Sequence, residues 1–318
     1  MVVYTKPIES TISRSAAEPF DAAPDQRRAM NRLFGLYMLV SATALLFPHR
    51  GPLWWVYLLA HILAAALVFG VLPAWGARGR RHAVADFIAD WYPLLLIPVL
   101  YGELVPLNIA VWDGTYFDAL IQQWEGVVFG GQPSYEWARS LPYLWLSEPL
   151  HAAYISYYFI IYGPPLLLYV LGRRTEFRVA VFGLMLTFFA HYVFFIFFPV
   201  QGPRYIFPAP EGAIQGGWSY QLAHALLEAG SSRGAAFPSS HVGVSVAQTL
   251  LMVRLFPRLS PVLAVLTVGL AFGAIYGGFH YAIDALCGAV LGATLVALTP
   301  TLRRVLGSRA AFTAAAGT

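Results

Sequence analysis

Eight mainly apolar runs alternate with short polar segments along the 318-residue chain. They cover roughly residues 31–47, 53–75, 84–105, 149–171, 178–199, 240–256, 260–278 and 280–300. A helix needs about 20 mostly apolar residues to cross the hydrocarbon core of a bilayer. The pattern therefore predicts an all-α fold, a polytopic membrane bundle of about eight transmembrane helices.

The basic residues assign an orientation to these spans. If the N-terminus is cytoplasmic, sixteen of the 20 Lys and Arg residues fall on the cytoplasmic side. The opposite side keeps Arg50, Arg139, Arg204 and Arg233. Short cytoplasmic loops of membrane proteins carry an excess of Lys and Arg. We therefore expect an integral membrane protein with both termini in the cytoplasm.

Composition narrows the class of protein further. The chain is 58% hydrophobic and 11% charged, whereas soluble domains carry about 25% charged residues. Its net charge of +4 comes from arginine clusters between apolar runs, so it does not indicate a nucleic-acid partner. The single cysteine, Cys287, excludes a disulfide within the chain. The arginine-rich, nearly lysine-free composition indicates a GC-rich bacterial genome, and hence a bacterial inner membrane.

Two long segments are placed on the outer side by this orientation. Within residues 106–148, "TYFDALIQQWEGVV" has apolar residues at helical spacing. It fits equally a helix lying on the membrane surface and an amphipathic helix capping the bundle. Residues 200–239 are rich in Gly and Pro. They predict a loop with one short helix, from about Ser219 to Ala229, which Gly230 ends.

The stretch "FPSSH" stands at the outer end of the sixth run. Ser239 or Ser240 is a candidate N-cap, because a serine oxygen can accept from the free amides of the first helical turn. A helix N-terminus of this kind can bind phosphate. His241 would then face the same site. The alternative is a well-formed helix start with a histidine at the water interface.

A second polar group, "HYAID", stands at the outer end of the eighth run, level with the first. His280 and Asp284 are four residues apart and share a helix face. The carboxylate can accept from one imidazole nitrogen and leave the other free as a nucleophile or base. An ionisable residue about one turn into a membrane is costly and usually functional. The alternative is a hydrogen-bonded pair with a structural role only.

Two of the four outer basic residues flank these motifs. Arg204 begins the loop after the fifth run, and Arg233 precedes the serine-histidine group. Guanidinium groups match phosphate oxygens, although both could be ordinary solvated loop arginines. The remaining histidines are interpreted as structural: His61 and His191 within spans, and His49, His82, His151 and His224 at interfaces or in loops. No cluster has the spacing of a strong metal site, so we expect no metal and no other cofactor.

Together, "FPSSH", "HYAID" and the upstream arginine resemble the type 2 phosphatidic acid phosphatase (PAP2) superfamily. The resemblance covers roughly residues 84–300 and implies a six-helix catalytic core. It implies that His280 attacks phosphorus, Asp284 orients it and His241 protonates the leaving oxygen. Arg204, Ser239 and Ser240 would hold the phosphoryl oxygens. The domain prediction that follows is a tail over 1–29, two additional helices over 30–83, the core over 84–302 and a tail over 303–318.

Two departures from the family pattern concern phosphate-binding cations. Phe197 stands where the family has a lysine, and Gly273 and Ala274 stand where it has Ser-Arg. Arg233 could replace one missing cation. The shortened pattern is similar to the inositol phosphorylceramide synthase and sphingomyelin synthase branch, which transfers a phosphorylated headgroup to a lipid alcohol. A phosphodiester carries one charge fewer than a monoester, which is consistent with fewer cations.

We therefore expect a membrane phosphotransferase or phosphatase with a lipid phosphate donor, a lipid alcohol or water as acceptor, and a site facing the periplasm or a lumen. One alternative is a simple lipid phosphate or isoprenyl pyrophosphate phosphatase. Another class is an intramembrane serine protease, to which Ser240, His280, Gly288 and Gly292 could contribute. The third is a non-catalytic lipid carrier. The sequence assigns no oligomeric state.

Overall fold

The structure, a computed structural model, describes residues 25–73 and 83–308. It is 80% helical, and this part of the chain contains no strand, as the predicted all-α class requires. The helices are α1 (Gln26–Thr43), α2 (Trp54–Ala66), α3 (Ala83–Gly102), α4 (Leu104–Trp112), α5 (Asp118–Phe129), α6 (Pro133–Ser140), α7 (Leu144–Ile155), α8 (Tyr157–Val170), α9 (Arg174–Phe197), α10 (Pro203–Ile206), α11 (Trp218–Gly230), α12 (Ser240–Leu255), α13 (Ser260–Tyr276) and α14 (Ala282–Gly307).

The expected number of eight membrane spans is not confirmed. In the described ranges, five helical segments are long and apolar enough to cross a bilayer: Gln26–Leu46, Trp54–Val71, Val84–Gly102, Arg174–Phe197 and Ala282–Gly307. Helices α7 and α8 together are also long and apolar enough to form a sixth span, which is bent by 41°. Helices α12 and α13 have only 16 and 17 residues. The sixth run is short because its helix begins at Ser240, after a non-helical motif.

The centre of the bundle is α9, most of whose apolar side chains between Phe177 and Ile196 are buried. Helix α12 packs beside it and against α14 through glycines. A Cβ on Gly288 would meet the backbone of Ser239, and a Cβ on Gly292 would meet the backbone of Gly243. Glycines spaced by four residues allow helix backbones to approach this closely in membranes. The contact between α12 and α14 brings the two polar motifs together.

The N-terminal helices attach to this core at one end through buried charges. Helix α1 packs against α9 and α14. Asp90 on α3 is 6% exposed and accepts from Arg27 at 2.9 Å and from Arg178 at 3.0 Å. Because Arg27 lies on α1 and Arg178 on α9, one carboxylate joins three helices. Helix α1 already begins at Gln26 and α14 continues to Gly307, so residues 26–29 and 303–307 of the predicted tails are helical. Residues 1–24 and 309–318 of these tails lie outside the described residues.

The opposite end carries the long loops and their short helices. The predicted helix over 219–229 is confirmed as α11, and the helix within "TYFDALIQQWEGVV" is confirmed as α5. Val200 and Ala235 form a parallel bridge, with hydrogen bonds from Val200 N to Gly234 O and from Ala236 N to Val200 O. This bridge joins the loop after α9, here called the arginine loop because it contains Arg204, to the segment before α12.

Candidate active site

The serine motif begins α12 and is anchored to α14. Ser239 is the N-cap, and its side-chain oxygen accepts from Val242 N at 3.3 Å. Its own N–H donates to the carbonyl oxygen of Asp284 at 2.9 Å. Ser240 is the first helical residue and is 3% exposed. Of the two N-cap candidates, the structure therefore selects Ser239, and the free amides of α12 open beside His241.

The two motif histidines face each other. His280 Nδ1 lies 3.0 Å from the carbonyl oxygen of Ala236, which can only accept, so this nitrogen carries the proton. The other nitrogen, Nε2, then has a free lone pair and lies 3.2 Å from His241 Nδ1. His280 is 3% exposed. The arrangement leaves an unprotonated imidazole nitrogen aimed at the space between the two rings.

Asp284 is arranged differently from the sequence expectation. Its Oδ2 accepts from the backbone N–H of Tyr281 at 2.9 Å, as part of a capping box at the start of α14. The same oxygen is 3.6 Å from His280 Nδ1, which is an ion-pair distance longer than a hydrogen bond. The nearer acceptor for His280 is the Ala236 carbonyl. Asp284 therefore places a carboxyl group beside the ring, while a backbone oxygen sets the ring's tautomer.

Arg204 and Arg233 lie on the same aromatic ring. Their guanidinium carbons are 5.2 and 4.9 Å from the ring centre of Tyr205. The Tyr205 hydroxyl is fixed by Ser231 Oγ at 2.8 Å. Arg204 Nη1 is buried and has no hydrogen-bond partner within the described residues. The structure thus brings together two arginines that are far apart in sequence, and Arg204 keeps a free donor.

A cavity of about 130 Å³ opens beside Arg204. His224, Tyr276, Gly277 and Gly278 are also in its wall. Burial, and to a smaller extent the electrostatic effects of His151 and Arg204, lowers the pKa of His224 to about 4. His224 is therefore neutral at neutral pH. Gly277 and Gly278 precede His280 by three and two residues in the chain, although His280 itself is not part of the wall.

The structure corrects or refines the other histidine interpretations. His151 was expected at an interface, but it is 1% exposed and bonds to Ser147. His61 and His191 bond to backbone carbonyls in their own helices, which agrees with structural roles. His191 also lies against Gly243, close to the motif. His49 is exposed, and His82 lies outside the described residues.

Helix α5 supplies site residues that sequence reasoning missed. Asp118 accepts from Gln201 N and Gly202 N, each at 2.9 Å, and from the Tyr281 hydroxyl at 3.1 Å. Gly202 adopts a φ of +95°, and a Cβ there would lie 3.0 Å from Ala236, so only glycine suits this turn. One carboxylate therefore joins α5, the arginine loop and the residue after His280.

The polar face of α5 was available as a sequence signal. Asp118, Gln122 and Glu125 recur at helical spacing within "TYFDALIQQWEGVV". Gln122 donates to the Tyr281 hydroxyl at 3.1 Å. Glu125 is 0% exposed, and burial raises its pKa to about 7. Val127 and Val128 on the other face are exposed. Helix α5 thus turns its polar face to the bundle and leaves apolar side chains exposed, which is compatible with both expected roles.

Close packing explains one departure from the expected phosphate-binding pattern. A Cβ on Gly273 would meet the backbone of Leu150 on α7. Ala274 is 0% exposed, and its carbonyl oxygen accepts from Phe279 N and His280 N. These positions hold the backbone turn before His280, with no room for larger side chains. Within the described ranges, no group of three or more His, Cys, Asp or Glu side chains could hold a metal ion.

The paired histidines, the helix N-terminus and the loop arginines all lie within the part of the chain that a known protein family covers. A family model described as the PAP2 superfamily matches residues 122–298, more than half of the chain. The chain belongs to the PAP2 superfamily. No curated protein and no solved structure matches it. The matched range begins within α5 and ends within α14, so it contains both histidine motifs and Arg204, and membership suggests a phosphatase-type membrane enzyme.

Proposed function

We propose that this PAP2 protein is an integral membrane lipid phosphotransferase or phosphatase that acts through a phosphohistidine. The observation that carries the proposal is the unprotonated Nε2 of His280, held 3.2 Å from Nδ1 of His241. One nitrogen is suited to attack phosphorus, and the other to give a proton to the leaving oxygen. The negative charge of Asp284, 3.6 Å behind the nucleophilic ring, favours the developing positive charge.

The phosphoryl oxygens would be held by the surrounding donors. Arg204 has a buried guanidinium nitrogen without a partner. Ser239, Ser240 and the first amides of α12 are beside the histidines, and Arg233 shares the Tyr205 ring with Arg204. Donors aimed at charge that grows in the transition state are worth roughly 2.7–4 kcal/mol each in comparable oxyanion holes. Two arginines and a helix end suit a phosphate with a single negative charge.

That charge argument slightly favours headgroup transfer over hydrolysis. A phospholipid headgroup is joined through a phosphodiester, which needs fewer cations than a monoester. The inositol phosphorylceramide synthase-like branch, expected from the shortened motif, transfers such headgroups to lipid alcohols. Transfer and hydrolysis differ only in whether a lipid hydroxyl or water attacks the phosphohistidine. Hydrolysis of a lipid phosphate or an isoprenyl pyrophosphate is the alternative outcome.

The test is an assay of the purified protein with several donors: short-chain phosphatidic acid, an isoprenyl pyrophosphate, and a phospholipid offered with ceramide or diacylglycerol. Phosphate release reports hydrolysis, and a new phospholipid reports transfer. His280→Ala should abolish both while the melting temperature is kept. His49→Ala, a change of an exposed histidine, is the matched control. Full turnover in His280→Ala contradicts the mechanism, and inactivity towards every donor favours a non-catalytic carrier.

We further propose that the site faces the periplasm or a lumen. The charge bias of the loops supports this orientation. In a Cys287→Ser background, Ala213→Cys in the loop before α11 should react with a membrane-impermeant thiol label in intact cells. Arg258→Cys, between α12 and α13, should react only after permeabilisation. Both positions are exposed. The reverse labelling pattern contradicts the orientation.

A further inference from the structure

Two tyrosines from the bend between α7 and α8 cover His241. Tyr154 is the second-last residue of α7, which ends at Ile155, and Tyr157 is the first residue of α8. Their ring centres lie 5.1 and 4.4 Å from the centre of the His241 ring. Both tyrosines are nearly buried, at 5% and 9% exposed. The 41° bend turns both side chains onto one imidazole, which leaves that ring little freedom to rotate.

The hydroxyl of Tyr154 contacts the nitrogen of His241 that faces away from His280. It lies 3.3 Å from His241 Nε2, and within the described part of the chain this is its one hydrogen-bond partner. The opposite nitrogen, Nδ1, lies 3.2 Å from His280 Nε2. The three rings therefore form a chain of directed bonds: Tyr154 O–H to His241 Nε2, His241 Nδ1–H to His280 Nε2, and His280 Nδ1–H to the Ala236 carbonyl.

We propose that Tyr154 is a positioning residue, which holds His241 so that Nδ1 is the nitrogen that exchanges a proton with substrate. This inference rests on the proposed function. The direction of the chain is set at its far end, because a carbonyl can only accept. His280 Nε2 is then an acceptor, His241 Nδ1 a donor and His241 Nε2 an acceptor. A hydroxyl is suited to that last position because it can donate to a neutral ring and accept from a charged one.

The proton balance of the first step follows from this arrangement. An anionic phosphate ester binds, and His241 takes up a proton from water to become an imidazolium. The lone pair of His280 Nε2 forms a bond to phosphorus, and the bond from phosphorus to the leaving oxygen breaks. The leaving oxygen takes the proton from His241 Nδ1. The neutral His241 ring keeps its proton on Nε2, where the Tyr154 oxygen accepts it.

The same atoms then serve the second step. A water or lipid hydroxyl attacks the phosphohistidine, and its proton passes to the free Nδ1 of His241. The bond between phosphorus and His280 Nε2 breaks, which restores the nucleophile, and the His241 imidazolium releases one proton to water, which restores its neutral resting state. Without the Tyr154 hydroxyl, the proton on Nε2 has no acceptor, and the ring has no preference for presenting Nδ1. Loss of that hydroxyl should therefore slow proton transfer and leave substrate binding unchanged.

The experiment uses the full chain and two esters of the same phosphate, one with an alkyl leaving group and one with a nitrophenyl leaving group. An alkoxide needs a proton as it leaves, whereas a nitrophenolate does not. We expect Tyr154→Phe to lower single-turnover release of the alcohol about 10- to 100-fold, with unchanged KM. Release of nitrophenol should stay within about threefold of the wild type. Tyr158→Phe, an exposed tyrosine on α8, is the matched control.

The outcomes separate this inference from the proposed function. A wild-type protein that cleaves neither ester overturns the proposed function and the inference together. If the wild type is active and Tyr154→Phe loses equal activity on both esters, the substitution causes a general structural defect. If Tyr154→Phe loses no activity, the Tyr154 hydroxyl does not contribute to proton transfer. Either result overturns the inference alone. In a His241→Gln background, adding Tyr154→Phe should have no further effect on the alkyl ester, and an added loss overturns the coupling.

Discussion

The close contact between α12 and α14 predicts that Gly243 cannot be enlarged without moving the two motif histidines. An alanine Cβ at this position would lie 2.5 Å from His191 Nε2 and 2.7 Å from the carbonyl oxygen of Gly288. Ordinary contacts of carbon atoms are about 3.5–4.0 Å. Neither neighbour can yield easily, since Gly288 presents backbone and His191 is 0% exposed with Nδ1 bonded to Thr187 O at 2.7 Å. Helix α12 must therefore shift by roughly 0.7–1 Å.

The size of the effect follows from opposing contributions. Overpacking a well-packed core costs about 1–3 kcal/mol, and alanine regains up to about 1 kcal/mol of helix propensity over glycine. With backbone on one side of the clash, we expect Gly243→Ala to lose about 1–2 kcal/mol. His241 lies two residues away on the same helix, so the shift also separates it from His280. A misplacement of about 1 Å can cost about 100-fold in rate.

The assay combines thermal unfolding in detergent with headgroup transfer or phosphate release. Gly243→Ala should melt about 2–8 °C lower than the wild type and turn over about 10- to 100-fold more slowly. The control is Gly102→Ala at the end of α3, where a Cβ meets nothing within 4 Å. Its stability and turnover should stay near those of the wild type. A Gly243→Ala protein indistinguishable from this control would refute the packing argument.

Two further predictions concern the carboxylates of α5. Asp118→Asn should destabilise the protein by about 1–3 kcal/mol, because Gln201 N, Gly202 N and the Tyr281 hydroxyl lose their carboxylate acceptor. Differential scanning fluorimetry measures this loss of stability. An unchanged melting temperature would contradict the prediction. Burial raises the pKa of Glu125 from 4.5 to about 7. The contribution of the protonated carboxyl to the free energy of unfolding is therefore fully present below pH 4.5 and is lost as pH rises through 7. Glu125→Gln should therefore be more stable than the wild type by about 3 kcal/mol at pH 8. The two proteins should have nearly the same stability at pH 4. A stability difference that does not change with pH would argue against a buried titrating carboxyl.

Much of the architecture was readable from the chain because it depends on local patterns. All eight apolar runs are helical in the described structure, and the helices α5 and α11 were predicted in the loops. The length of a span is less local: α12 starts only after the non-helical segment that carries Phe237, Pro238 and Ser239, and α7 and α8 are bent apart. For that reason the count of membrane spans did not follow from hydropathy.

The sequence by itself determined the chemistry available to this protein: two histidines, a carboxylate four residues after the second, and a serine helix start, all at one end of an apolar bundle. Tertiary structure decided which atoms meet. The Ala236 carbonyl, 44 residues before His280, accepts the hydrogen bond from His280 Nδ1 that the spacing had assigned to Asp284. Arg233 reaches Arg204 through Tyr205, and Tyr154 reaches His241 from a bend in another span. Hydrogen bonds between residues this far apart depend on how helices pack, and single-residue spacing does not encode that packing.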